Sequence, residues 1–304
     1  MEIVSILIPT YNAERYIPDL FKGLHNQILE GNQSIEIIVV DSSSTDNTVA
    51  LINEMYPSVR VETIANSTFD HGGTRNYMAS LAKGEYLLFM TQDAIPYDQY
   101  LVKNLLSPFE NKEIMISYAR QIPKKDAKPL EVFARNFNYP SYQIIKNKDS
   151  LNELGIKTFF NSNVCSMYKR EVFEHYNGFP EKIILNEDMV LASNIILDDF
   201  SVSYTADAKV YHSHNYNLGQ QFKRYFDIGM AFNQTSYLLK YASNEKEGKR
   251  MVFRQIKYLV SNKKFLVLPV AIIENIFKYT GYFLGKKHKF IPNNIKRAFS
   301  AYMK

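Results

Sequence analysis

Hydrophobic positions in the first hundred residues alternate between strand and helix periods. Residues 4–8 form a short apolar run that Pro9, Thr10, Tyr11 and Asn12 break. Tyr16, Ile17, Leu20, Phe21 and Leu24 then recur at helical spacing. Residues 35–40 are a β-branched run that stops at Asp41, and the Ser and Thr cluster over 42–48 supplies turn and N-cap chemistry for a helix carrying Val49, Ile52 and Tyr56. A third strand is expected over 59–64, a helix from about Gly73 to Gly84, and a fourth strand over 86–90 that runs into Thr91, Gln92 and Asp93. Strands alternating with helices predict a parallel sheet covered on both faces, with ligands at the carboxyl ends of the strands. Asp41 and Asp93 fall there.

Residues 101–217 are less regular. Strands are expected over 115–118, 164–168, 202–204 and 209–211, and a helix over 188–196 with its acidic end first. From about Leu218 the pattern becomes helical, which divides the chain into a body of residues 1–217, with halves 1–100 and 101–217, and an extension of residues 218–304. Residues 265–285 are largely apolar, but Pro269, Glu274, Asn275 and Lys278 are each costly in a bilayer, so a core or amphipathic helix is expected.

Composition narrows the class. The chain has 304 residues, 46% hydrophobic and 22% charged, in the ordinary globular range. A single cysteine, Cys165, excludes an intrachain disulfide and a cysteine-based zinc site. No secretory signal is read at Met1 to Ser5, so the expected location is cytoplasmic. The net charge of +5 hides a split: residues 221–304 hold 17 basic and 4 acidic residues, the remainder 19 and 27. A basic, aromatic-rich tail on an acidic body suits an anionic membrane surface. The alternative is a helical subdomain with solvated lysines, whose aromatics could also serve an oligomer interface.

Several clusters carry chemistry. Asp41, with Ser42, Ser43, Ser44, Thr45 and Asp46 after it, is placed to accept a hydrogen bond from a pyrimidine ring; simple helix capping is the alternative. The sequence Pro9-Thr10-Tyr11-Asn12 stands where a dinucleotide fold needs glycines, which gives that site little support. Phe69 to Asn76 is densely polar, with Gly72 and Gly73 permitting close approach to a ligand and Arg75 welcoming phosphate. Asp93 suits a hard divalent cation, Mg²⁺ or Mn²⁺. Of His212 and His214 only one is expected at that site, His212, the two being read as pointing to opposite faces of an extended segment. Asp188, after Glu187 at a helix start, suits a general base; an N-terminal acid without catalysis is the alternative.

In order and spacing these motifs resemble the inverting family 2 glycosyltransferases of GT-A fold: Ile8 to Asn12, Val40 to Asp46, Gly73 to Asn76, Asp93, Asn186-Glu187-Asp188 and His212. Phe69 to Asn76, Thr91 to Ala94, Arg120 to Pro123 and His212 to Tyr216 look like the bacterial rhamnosyltransferase branch, which builds cell-surface polysaccharide. The resemblance implies a mixed, mainly parallel sheet flanked by helices, with a helical C-terminal extension. It implies a nucleotide-sugar donor held by Pro9, Thr10, Tyr11, Asn12, Asp41, Ser43, Arg75, Gln92 and Asp93. Asp93 and His212 would hold the cation, and Asp188 would be the base. The branch implies dTDP-rhamnose as donor, with a UDP-sugar as alternative, and a saccharide or lipid-linked saccharide acceptor at the inner face of the cell membrane rather than a nucleic acid. The usual Asp-x-Asp metal motif is absent, since Gln92-Asp93-Ala94 stands there. A non-catalytic carbohydrate-binding module is the reading of another class; it does not require Asp93, Asp188 and His212 to converge.

Overall fold

The computed structural model describes residues 2–241 and 244–303; Met1, Ala242, Ser243 and Lys304 lie outside the described residues, the last three within the expected extension. Among the described residues nine strands form one sheet: β1 Glu2–Thr10, β2 Gln33–Asp41, β3 Arg60–Thr63, β4 Tyr86–Met90, β5 Ile95–Pro96, β6 Ile114–Ile122, β7 Ile144–Lys146, β8 Cys165–Lys169 and β9 Ser201–Tyr211. Their order is β3-β2-β1-β4-β8-β6-β9-β5, with β7 also on β9. Strands β3, β2, β1 and β4 are parallel, β8 runs antiparallel to both β4 and β6, and β6 pairs parallel with β9.

The apolar runs form strands because both sheet faces are covered. Ile6, Ile8 and Val39 face one core with Leu20 and Phe21, whereas Leu7, Ile38, Val40 and Phe89 face the other with Met78 and Ile195. The helix expected from Gly73 begins at His71 and ends at Leu81, with Asp70 accepting a 2.7 Å bond from the Gly73 N–H as its N-cap. The two short strands expected between 202 and 211 are one strand. Its pairing with β6 jumps from Ala119–Thr205 to Arg120–Lys209, so Ala206, Asp207 and Ala208 bulge without ending the ladder.

The extension begins with the helix Leu218–Gln234, capped by reciprocal Asn217 and Gln220 bonds of 2.9 Å. It crosses the helix Leu268–Lys286 closely enough that only glycine fits at the contact. A Cβ on Gly285 would lie 2.0 Å from the Phe226 carbonyl oxygen, and one on Gly229 2.2 Å from that of Tyr282. The intervening helix, Asn244–Ser261, packs on the body through Tyr258 against Phe133 and a 2.8 Å Lys157–Glu247 ion pair. Glu274 and Lys278 are buried and paired at 2.5 Å. Among the described residues no helix is long and apolar enough to cross a membrane.

Candidate active site

Asp93 follows β4 and lies against the segment leaving β9. Its Oδ2 is 3.1 Å from His214 Nε2 and 3.4 Å from His212 Nε2, and the two Nε2 atoms are 3.1 Å apart. Ligand atoms about 2.1 Å from one small cation stand roughly 3.0–3.5 Å from each other, so this donor set fits a divalent ion. His214 therefore joins the cluster, contrary to the expectation that only His212 would. Side chains two apart in an extended segment share a face, and that is how these two imidazoles lie.

The histidine tautomer is set by Gln121 on β6. Arg135 donates to Gln121 Oε1, and a guanidinium has no acceptor, so that atom is the amide oxygen. His212 Nδ1 is 2.9 Å from the same oxygen and must be its donor, which leaves the Nε2 lone pair facing Asp93. The Gln121 amide nitrogen donates to Tyr139 (2.6 Å) and Ser162 (3.0 Å), locking the arrangement. Burial lowers His212 to about 4, against the pull of Asp93, so it is neutral and ligand-ready.

The second centre sits at the start of the helix Glu187–Leu197, entered through Asn186 in a left-handed conformation (φ 72°). Asp188 accepts from the backbone N–H of Asn163 (2.9 Å) and of Met189 (2.7 Å), which fixes the carboxylate in one orientation. Burial, and next the charge of Glu187, raise it to about 7 despite those bonds. Glu187 is ion-paired with Arg75 (3.3 Å) and, although burial opposes it, that pair keeps it ionised. Arg75 also donates to the His71 carbonyl (2.9 Å). A base titrating near neutrality beside a permanently charged acid is an arrangement suited to proton transfer.

Both centres line one cavity of about 570 Å³, which includes Arg75, Asp93, Asp188, His212 and His214. Pro9, Thr10, Tyr11, Asn12, Asp41, Ser43 and Gln92 do not line it; they form a braced surface at the carboxyl ends of β1, β2 and β4. Asp41 accepts from Thr10 Oγ1 (2.8 Å), Ser44 N (2.7 Å) and Ser44 Oγ (2.6 Å), leaving about one carboxylate lone pair. The Tyr11 N–H donates to the Gln92 side chain (2.8 Å), which donates back to the Tyr11 carbonyl (3.1 Å). Asn12 (φ 48°) accepts from the Thr45 N–H (2.9 Å), and Ser43 donates to the Ile64 carbonyl (2.8 Å). Gly72 serves packing, not ligand approach: a Cβ there would lie 2.1 Å from the Pro180 carbonyl oxygen.

Sequence reasoning missed Gln121, Asn163, Tyr216 and Arg224, all at the cavity. Gln121 lies within the stretch Arg120 to Pro123 and Tyr216 within His212 to Tyr216, both already singled out; Asn163 and Arg224 carried no local signal.

The glycosyl transferase family 2 model matches residues 5–176. The O-antigen chain rhamnosyltransferase RfbN of Salmonella typhimurium is 39% identical over 301 residues, covering 98% of this chain and 94% of that protein. WbaN of Salmonella anatum, likewise an O-antigen chain rhamnosyltransferase, is 39% identical over 306 residues, 99% of this chain and 95% of its own length. Among solved structures, a Pyrobaculum calidifontis mannosyltransferase in complex with GDP-Man and Mn²⁺ superposes with a TM-score of 0.62 at 14% identity, over 92% of this chain and 86% of that one. Staphylococcus aureus TarS with UDP-GlcNAc gives 0.55 at 16% identity, over 95% and 91%. These likenesses give the GT-A fold, and the convergence of Asp93, His212 and Asp188 on one cavity is what a non-catalytic module does not require. The chain is a glycosyltransferase and belongs to glycosyl transferase family 2.

Proposed function

We propose that the protein transfers L-rhamnose from dTDP-rhamnose, with inversion, to a hydroxyl of a saccharide or lipid-linked saccharide during cell-surface polysaccharide synthesis. The observation that carries this reading is the shared cavity of the Asp93 cluster and Asp188. The rhamnosyltransferase relatives, alike over nearly the whole chain, support the choice of sugar. Asp188 takes the proton from the acceptor hydroxyl as that oxygen attacks the anomeric carbon. The bond from that carbon to the diphosphate oxygen breaks, and the nucleoside diphosphate leaves from the opposite face. Asn163 and Met189 hold the base in line throughout. A divalent cation held by Asp93, His212 and His214 supplies charge neutralisation for the departing diphosphate, and two imidazoles favour Mn²⁺ over Mg²⁺. The nucleoside lies along Pro9 to Asn12, Asp41, Ser43 and Gln92, with Arg75 ordering the Glu187–Asp188 pair. A panel of dTDP-, UDP- and GDP-sugars, read as nucleoside diphosphate release, tests this. Turnover confined to UDP-sugars replaces the donor; turnover with none removes the reading.

We place the reaction at the inner face of an anionic membrane. The outer face of the helix Leu268–Lys286 presents Ile272, Ile273, Ile276 and Phe283 to solvent, and the extension also exposes Phe253, Leu266 (94% exposed) and Phe290 (89%). The same extension exposes Lys249, Arg254, Lys257, Lys263, Lys287 and Lys289, the charge that contact with acidic headgroups requires. Sedimentation with phosphatidylglycerol vesicles at graded salt is expected to show binding that weakens as salt rises. Absence of binding at low salt, with dimerisation instead, would assign the face to a second copy.

A further inference from the structure

Tyr168 lies in the middle of the sheet on β8, opposite Leu87 of β4 and Ile116 of β6, and is fully buried. Its ring meets Phe89, Phe173 and Phe179 edge-on, with centroids 5.6, 6.0 and 5.4 Å away. The other members of that group are phenylalanines, so packing there needs the ring and not the hydroxyl. A hydroxyl withdrawn from water costs stability unless it is hydrogen-bonded, and this one is bonded on both sides. It accepts from Asn161 Nδ2 at 2.6 Å and donates to Asn163 Oδ1 at 2.7 Å.

The direction of each bond follows from Glu187. That carboxylate, kept ionised by Arg75, can only accept, so Asn163 turns its side-chain NH₂ toward it (3.2 Å) and its oxygen toward Tyr168. The phenol must then donate to that oxygen, which leaves its lone pairs for the Asn161 NH₂. The Asn161 oxygen accepts in turn from Ser166 (3.0 Å), which shares a face of β8 with Tyr168. Burial, and next the charge of Asp188, push the phenol well above its usual value, so it keeps the proton that this chain of bonds requires. The chain ends on both active-site carboxylates. Asn163 donates through its side chain to Glu187 and through its backbone N–H to Asp188 (2.9 Å).

From this geometry we infer that Tyr168 is a positioning residue for the reaction, its hydroxyl holding Asn163 in the orientation that serves Asp188 and Glu187 together. The inference rests on the reading of Asp188 as the base and adds a residue that does not itself line the cavity. Phenylalanine at this position leaves the Asn163 oxygen without a donor and the Asn161 nitrogen without an acceptor. Both amides then turn toward other partners, and the N–H that aims Asp188 moves with them. A displacement of about 1 Å at a catalytic group costs on the order of 100-fold in rate.

The test measures dTDP release from saturating dTDP-rhamnose with Mn²⁺, water serving as acceptor, in wild type, Tyr168→Phe, Asn163→Ala and the double variant. Tyr168→Phe is expected to lower kcat about 10–100-fold. Calorimetric dTDP affinity is expected to hold within about twofold, because Gln121 and Arg135 secure the Asp93 cluster from β6 and the helix Pro129–Asn138. Acting through Asn163, the substitution should cost nothing further in the Asn163→Ala background. Wild-type kcat in Tyr168→Phe overturns the inference. Losses that simply multiply in the double variant overturn it too, since the phenol then serves the fold independently of Asn163. So does a parallel fall in dTDP affinity, which marks a collapse of the whole site. Thermal midpoints check folding, and Ser166→Ala tests the same chain with the ring intact. It is expected to lower kcat about threefold or more, and an unchanged kcat there is equally fatal. Full turnover in Asp188→Asn refutes the base reading itself, an outcome distinct from failure of Tyr168 alone.

Discussion

Replacing Asp188 with Asn is expected to remove transfer and, above neutral pH, to stabilise the fold. Burial and the neighbouring Glu187 raise the Asp188 carboxyl from 3.8 to about 7 in the folded protein. A raised carboxyl favours folding while protonated; that contribution is complete below the unfolded value and is lost as pH rises through the folded one. About three pKa units correspond to roughly 4 kcal/mol of penalty carried by the wild type above pH 7, more than half of which develops between pH 5 and pH 8. Asparagine has no such titration. Its amide keeps one acceptor, so one of the Asn163 and Met189 N–H groups loses its partner, a cost of about 1–3 kcal/mol that does not vary with pH. The informative quantity is therefore the slope. Urea unfolding of both proteins at pH 5, 6, 7 and 8 is expected to show the variant gaining on the wild type by about 2–3 kcal/mol across that range. A difference constant to within about 0.5 kcal/mol would refute the raised carboxyl and, with it, the physical basis for its role as base. In the same preparations transfer is expected to fall by about 10²–10⁴ while dTDP affinity holds.

Three further outcomes follow from particular contacts. Wild-type transfer is expected to rise with pH through about 7 as Asp188 loses its proton, and Glu187→Gln should move that rise to lower pH; an unmoved profile would remove Glu187 from the assignment. Gln121→Leu frees the His212 tautomer and is expected to raise half-saturating Mn²⁺ about 10–100-fold. His214→Ala is expected to raise it at least as far, and a wild-type titration would mark that histidine as structural. Gly285→Ala sets a methyl group 2.0 Å from the Phe226 carbonyl oxygen, so the helices must separate at a cost of about 1–3 kcal/mol, read as a lowered thermal midpoint.

Much of the body was legible in the chain because its signals are local. Apolar runs ending in Asp41 and Asp93 form strands whose carboxyl ends carry those residues, since a buried strand needs little more than continuous apolar character on both faces. Asp188 at its helix start was equally visible, as an acidic residue ahead of a helical pattern. The bulge that keeps β9 whole was hidden, because Ala206, Asp207 and Ala208 interrupt the strand pattern while the β6 partner holds the backbone. Partnership depends on distance in space, which spacing along the chain does not encode. Arg75 and Arg224 are indistinguishable as letters, yet the fold gives one to Glu187 and leaves the other facing the cavity. Asp41 kept its place but had three of its lone pairs taken by Thr10 and Ser44. His212 and His214 became a candidate metal-binding pair only when β4 brought Asp93 to within 3.4 Å of both. The sequence alone determined which elements form and which chemical groups stand at their ends. The tertiary structure decided which of those groups still have a bond to offer, because hydrogen bonds and ion pairs are consumed by whichever neighbour the packing brings nearest.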